Sequence, residues 1–241
     1  MRLDVIGSSP AWPNPGGACS GYLVEGRLLL DCGPGVLAKL RERPDADGWP
    51  AIAAIAITHL HLDHWGDLIP WVWGSLYGPG ESVPRPRLWL PPGAGETLRP
   101  VLALLGSEDM FERAFEVAEY ESRTPFVAAA GLQVTAVPVK HYEMEAFGFR
   151  VEGDRVLAYS GDSGPCQALG ELARDADLLV CEATLASAEL DGPSRGHLAP
   201  DEVDAAATGA HAKRILLTHR PDERPPPAGS ELAYDGLELE L

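Results

Sequence analysis

Ala51-Ile52-Ala53-Ala54-Ile55-Ala56-Ile57, then His59-Leu60-His61-Leu62-Asp63-His64, is the stretch on which the reading of this chain turns. The apolar run is short, rich in isoleucine and free of Gly and Pro, which suits a buried strand, although periodicity alone leaves a helical segment open. Behind it, four side chains of metal-ligand type crowd into six residues. On an extended backbone, side chains two apart point the same way, so His59 and His61 can reach one ion together. Asp63 and His64 face elsewhere. Asp63 reads as the N-cap of a helix running from His64 through Gly66-Asp67-Leu68-Ile69, where the turning backbone aims both side chains at a second ion. The spacing suits two metals rather than one.

A histidine pair near an aspartate is often structural, so the rest of the chain has to decide. Neutral imidazole and carboxylate are the usual ligands of zinc and similar divalent ions, and a catalytic site needs an open position for water. Residues of that type recur at the ends of apolar runs. His141 follows Leu132 to Val139, Asp162 follows Val156 to Gly161, and His219 follows Arg214 to Thr218. In a layered α/β protein the ends of several strands meet at one edge, where sites are normally built.

The order His59-x-His61-x-Asp63-His64, then His141, Asp162 and His219, resembles the metallo-β-lactamase superfamily, and the likeness covers nearly all of the 241 residues. Within it the chain looks most like the ribonuclease Z-like and cyclic nucleotide phosphodiesterase-like branch. That narrower likeness rests on Ile6-Gly7-Ser8-Ser9-Pro10, Leu28-Leu29-Leu30 ending in Asp31-Cys32-Gly33, Phe147-Gly148-Phe149-Arg150, Tyr159-Ser160-Gly161-Asp162-Ser163 and Cys181-Glu182-Ala183-Thr184. The resemblance implies a four-layer αβ/βα sandwich. It also implies two divalent metal ions, zinc by preference, although the same ligands accept manganese or iron. His59, His61 and His141 would hold one, Asp63, His64 and His219 the other, and Asp162 would bridge them. Asp31 would stand behind the ligands and fix a histidine tautomer; the plainer reading makes it a turn residue before Gly33-Pro34-Gly35.

The branch has a similarly ordered Glu and His, which implies that His197 protonates the leaving oxygen and Glu182 orients it. Such an acid typically contributes about 10²- to 10⁴-fold when an alkoxide leaves; a plain loop histidine is the alternative. The implied reaction is attack on phosphorus by a hydroxide activated between two metals, with Asp63 accepting the water's remaining proton. His211 stays unassigned, in what reads as a solvated turn.

Composition agrees with a soluble enzyme of one domain over residues 1–241, 45% apolar and so able to bury a sizeable core. Met1-Arg2-Leu3-Asp4 leads into a strand-like segment without the apolar core of a signal peptide, and no apolar run nears the roughly 20 residues that span a bilayer. A cytoplasmic address is expected, with no membrane contact. Cys19, Cys32, Cys166 and Cys181 lack CxxC spacing and read as reduced thiols.

The pattern predicts strands near Arg2 to Ile6, Tyr22 to Val24, Arg27 to Leu30 and Arg87 to Leu90, with helices over Val36 to Arg41 and Glu96 to Leu105. Trp65, Trp71 and Trp73 should continue the motif helix, kinked at Pro70, as core rather than as stacking groups for substrate. Residues 108–123 read as a surface lid or as an edge. Pro225-Pro226-Pro227 is a stiff local connector.

A formal charge of −17 gives no basic footprint for a long polyanion, so long nucleic acid is disfavoured as a partner. The flexible arm with which true ribonuclease Z enzymes grip tRNA also has no evident counterpart here. A small phosphodiester such as a cyclic nucleotide is the favoured substrate, because two cations dominate the field locally. The rivals are a tRNA 3′-processing endoribonuclease, a lactone, thioester or β-lactam hydrolase, and a non-catalytic metal-binding module. Homodimers are common in the resembling family, and nothing in the sequence demonstrates one.

Overall fold

A computed structural model describes residues 1–43, 48–225 and 227–241, so the middle of the Pro225-Pro226-Pro227 connector lies outside the described residues. Two mixed sheets stack face to face with helices on both outer sides. The first sheet contains β1 (Arg2–Gly7), β2 (Gly21–Val24), β3 (Leu28–Leu30), β4 (Ala54–Ala56), β5 (Arg87–Leu90), β6 (Glu116–Glu119) and a late strand, β13 (Glu238–Glu240). The second contains β7 (Phe126–Ala129), β8 (Leu132–His141), β9 (Met144–Glu152), β10 (Val156–Tyr159), β11 (Leu178–Glu182) and β12 (Ile215–Thr218). Their orders are β13-β1-β2-β3-β4-β5-β6 and β12-β11-β10-β9-β8-β7. Over the first sheet lie α1 (Val36–Glu42), α2 (Leu62–Trp65), α3 (Leu68–Tyr77), α4 (Ala94–Leu105) and α5 (Met110–Ala114); over the second lie α6 (Gln167–Ala173) and α7 (Pro200–Ala210). This is the metallo-β-lactamase fold.

The layering follows from the period-2 alternation of side chains along a strand. Leu28 and Leu30 enter the core between the sheets, while Leu29 between them packs under the helices. Ala54 and Ala56 face inward in the same way and Ile55 and Ile57 outward. In the second sheet Leu178 and Val180 face the first sheet, and Leu179 and Cys181 face α6 and α7. Strands buried on both faces read as unbroken apolar runs for this reason.

Four sequence expectations are corrected. The motif helix is two helices, interrupted at Gly66-Asp67, and the interruption is held because Asp67 Oδ2 accepts the Leu37 N–H of α1 at 2.8 Å. Pro70 is no kink: it sits in the first turn of α3, where a missing N–H costs no intrahelical bond. The N-cap is His61, not Asp63, which lies inside α2. Trp65 and Trp71 are core, whereas Trp73 is 40% exposed and stacks on Tyr77. The segment 108–123 is an edge, with β6 pairing parallel to β5. Cys19, Cys32, Cys166 and Cys181 are free thiols, and no helix among the described residues is long and apolar enough to cross a membrane.

Candidate metal centre

Loops at one edge of both sheets deliver the polar side chains. His59 follows β4, His61 caps α2, Asp63 and His64 ride on α2, His141 ends β8, Asp162 follows β10 and His219 follows β12. Of these, only His61 is not classed as buried, being half-buried. Asp31 and His219 hold left-handed φ angles of 59° and 57°, a conformation that non-glycine residues rarely adopt and that clusters at functional sites. At Gly33 a Cβ would overlap the Asp63 carbonyl oxygen, so only glycine lets the loop after β3 lie against α2.

Two donor sets result. His59, His61, His141 and Asp162 form one, and Asp63, His64, Asp162 and His219 the other, each with its ligand atoms within 4.8 Å of one another. Asp162 faces both: Oδ2 is 3.9 Å from the Nε2 atoms of His59 and His141, and Oδ1 is 3.3 Å from His64 Nε2 and 3.5 Å from His219 Nε2. The sequence-predicted ligands are therefore all brought together.

The hydrogen-bond network assigns the tautomers. Thr58 Oγ1 gives its proton to the Asp31 carboxylate and accepts from His59 Nδ1 at 3.1 Å. His64 Nδ1 donates to Asp31 Oδ2 at 2.7 Å, and His141 Nδ1 to the Gly196 carbonyl at 2.8 Å. Thr184 Oγ1 donates to Glu182 Oε2 and accepts from His219 Nδ1, both at 2.8 Å. Each of these four rings thus keeps a proton on Nδ1 and turns Nε2 inward, where His219 Nε2 lies 3.1 Å from Asp63 Oδ2. His61 turns Nδ1 inward instead, 3.2 Å from His59 Nε2 and 2.9 Å from His141 Nε2. Nitrogens at such distances need a proton or a cation between them. His64 Nε2 and Asp162 Oδ1 are buried, 3.3 Å apart and still lack hydrogen-bond geometry, as expected of atoms aimed at a common third point. The donor set and these orphaned atoms fit divalent metal ions.

Electrostatics agrees. Burial first, then the neighbouring histidines, holds His59, His61 and His141 below the ordinary histidine value, so they are neutral lone-pair donors near pH 7. Burial also opposes charge on His64, but Asp162, Asp31 and Asp63 outweigh it and raise its pKa, which marks a pocket of strong negative potential. Asp63 and Asp162, although burial pushes them up, are held below the carboxylate range by the surrounding histidines. A proton on His64 is what a metal would displace.

Beside this lies a third group. His197 Nδ1 donates to Glu182 Oε1 at 2.8 Å, and its ring stands 5.0 Å from that of His141 and 5.8 Å from that of His219. Burial disfavours the imidazolium, yet the Glu182 carboxylate overcomes it and lifts His197 to about 9. His197 at neutral pH therefore holds a proton to give. His211 lies elsewhere, exposed at the C-terminal end of α7.

Reasoning from sequence overlooked Thr58, which shares a proton network with Asp31, and gave no role to Tyr159, whose hydroxyl donates to Asp31 Oδ2 at 2.8 Å. The signal for Thr58 was adjacency to His59, and Tyr159 stood in the Asp162 motif. Thr184 stood in a quoted motif without a role; it links Glu182 to His219. Asp31 is fully buried and is no mere turn residue.

A family model described as the beta-lactamase superfamily domain matches residues 26–220. An uncharacterized protein of Mycobacterium tuberculosis is 33% identical over 230 residues, covering 92% of this chain and 81% of its own. The probable metallo-hydrolase YhfI of Bacillus subtilis is 29% identical over 237 residues, covering 92% and 87%, and its crystal structure superposes with a TM-score of 0.82 over 99% of each chain at 23% identity. The short form of human tRNase Z superposes with a TM-score of 0.77 at 26% identity, over 100% of this chain and 99% of its own.

Proposed function

The chain belongs to the beta-lactamase superfamily and is a metallo-hydrolase of that family, and from this membership we propose that it is a dinuclear phosphodiesterase that cleaves a small phosphodiester such as a cyclic nucleotide. His59, His61 and His141 would hold one divalent ion and Asp63, His64 and His219 the other, with Asp162 facing both. Ions held there supply Lewis-acid polarisation of a phosphoryl oxygen and make the attacking water more acidic. Asp63, kept ionised by His64 and His219, accepts the proton that the water gives up. His197 gives its own proton to the departing oxygen, and Glu182 holds the ring in the donating tautomer.

The observation that carries this reading is the Glu182-bound His197 standing within ring contact of a histidine from each donor set. A thioester, with its good leaving group, has little use for such an acid; expulsion of an alkoxide from phosphorus does. Resemblance to tRNase Z supports phosphodiester chemistry, while the formal charge of −17 argues against a long polyanion. Turnover by metal-replete protein across cyclic nucleotides, a precursor tRNA, lactones and thioesters is the test. Cyclic nucleotide hydrolysis is expected; lactone or thioester turnover with inert phosphodiesters would sink the proposal.

A further inference from the structure

The loop that carries His197 is tied down by a residue pair with no assigned role. Asp191 ends a short 3₁₀ turn, Ala188–Asp191, and sends its carboxylate forward into the loop. Its Oδ2 accepts the Gly196 N–H at 2.6 Å and the His197 N–H at 2.9 Å. Its other oxygen accepts the Tyr142 hydroxyl at 2.5 Å. Tyr142 stands in the turn between β8 and β9, directly after His141, with its ring 5.1 Å from that of His141 and 5.6 Å from that of His197. The backbone lies flat on this ring, since a Cβ at Gly196 would run into it, and the Gly196 carbonyl accepts from His141 Nδ1.

The geometry points to Tyr142 and Asp191 as the residues that position His197, by fixing the backbone from which its imidazole reaches toward the leaving oxygen. Glu182 fixes only Nδ1, so the ring could still swing about that bond if its backbone moved. The Asp191 carboxylate removes this freedom because it binds two successive N–H groups, and Tyr142 holds the carboxylate in turn. The same Tyr142 is the neighbour of His141, so the acid and a proposed metal ligand share one anchor. A general acid must sit within about 3 Å of the oxygen it protonates, and a displacement of about 1 Å can cost roughly 10²-fold. This inference rests on the reading of His197 as the acid.

Tyr142→Phe removes the hydroxyl and keeps the ring. On a diester with an alkoxide leaving group, its kcat should fall about 10- to 100-fold with KM nearly unchanged, while bis-nitrophenyl phosphate, whose leaving group needs no acid, should lose less than about threefold. Adding Tyr142→Phe to His197→Ala should cost nothing further, since residues that act as a unit are non-additive. Amide hydrogen exchange gives a readout without turnover: Gly196 and His197 should exchange about tenfold faster in both Tyr142→Phe and Asp191→Ala, with the strands unaffected. Unchanged exchange, a loss confined to KM, or equal losses on the two diesters would overturn the positioning role. Wild-type protein that cleaves neither diester overturns the functional reading and the catalytic half of this inference with it; an active wild type with an indifferent Tyr142→Phe overturns this inference alone.

Discussion

Four of the five proposed histidine ligands are fixed by what their far side touches. Thr58, Asp31, Thr184 and the Gly196 carbonyl accept the Nδ1 protons of four histidines, so the lone pairs that face inward are decided by groups that never meet the ion. His197 is built the opposite way, with a carboxylate behind it that keeps it protonated. Replacing it with alanine should slow alkoxide-leaving phosphodiesters about 10²- to 10⁴-fold and nitrophenyl esters far less, as parallel steady-state assays will show. The pH profile follows with a definite sign. The fold raises His197 from 6.5 to about 9, so its pairing with Glu182 stabilises the protein fully below about 6.5, and that contribution is lost as pH rises through about 9. Turnover that needs the acid should fall over the same alkaline limb, and in Glu182→Gln that limb should move to lower pH. A limb that stays in place would mean that another group titrates there.

At the scale of elements, three short pieces meet where longer ones could not: the loop after β3, the cap of α2 and the start of α3. Gly33 lies against the Asp63 carbonyl, and Asp67 ties α3 to the N-terminal end of α1. Gly33→Ala should therefore destabilise the fold by about 1–3 kcal/mol through overpacking, measured as a drop in the denaturant midpoint. It should also loosen metal retention, because α2 carries both Asp63 and His64. An unshifted midpoint would show that the contact relaxes freely. The break between α2 and α3 was invisible in sequence, where Pro70 looked like the interruption. Propensity located a residue that resists helix, but the contact of Asp67 with the Leu37 N–H decided where the helices part.

For the whole molecule, folding gathers buried carboxylates and imidazoles into two donor sets of a kind that divalent cations would satisfy. Purified protein under replete conditions should take up about two divalent equivalents per chain, and their removal by chelator should lower the melting temperature, because an ion that binds only the folded state stabilises it by mass action. Asp162→Ala should lower the stoichiometry below two, since that carboxylate faces both donor sets. Full occupancy in the variant would deny Asp162 its bridging place. The sequence by itself marked many of the strands, as short apolar runs, and its resemblance to the metallo-β-lactamase superfamily implied how they are layered. It also marked the seven proposed ligands, since histidine and aspartate directly behind such runs fall at strand ends. Tertiary structure alone decided which ring nitrogen turns inward and how the loop bearing His197 is anchored. Those depend on contacts between residues far apart in the chain, such as Thr184 with His219 and Tyr142 with Asp191, where no local propensity acts.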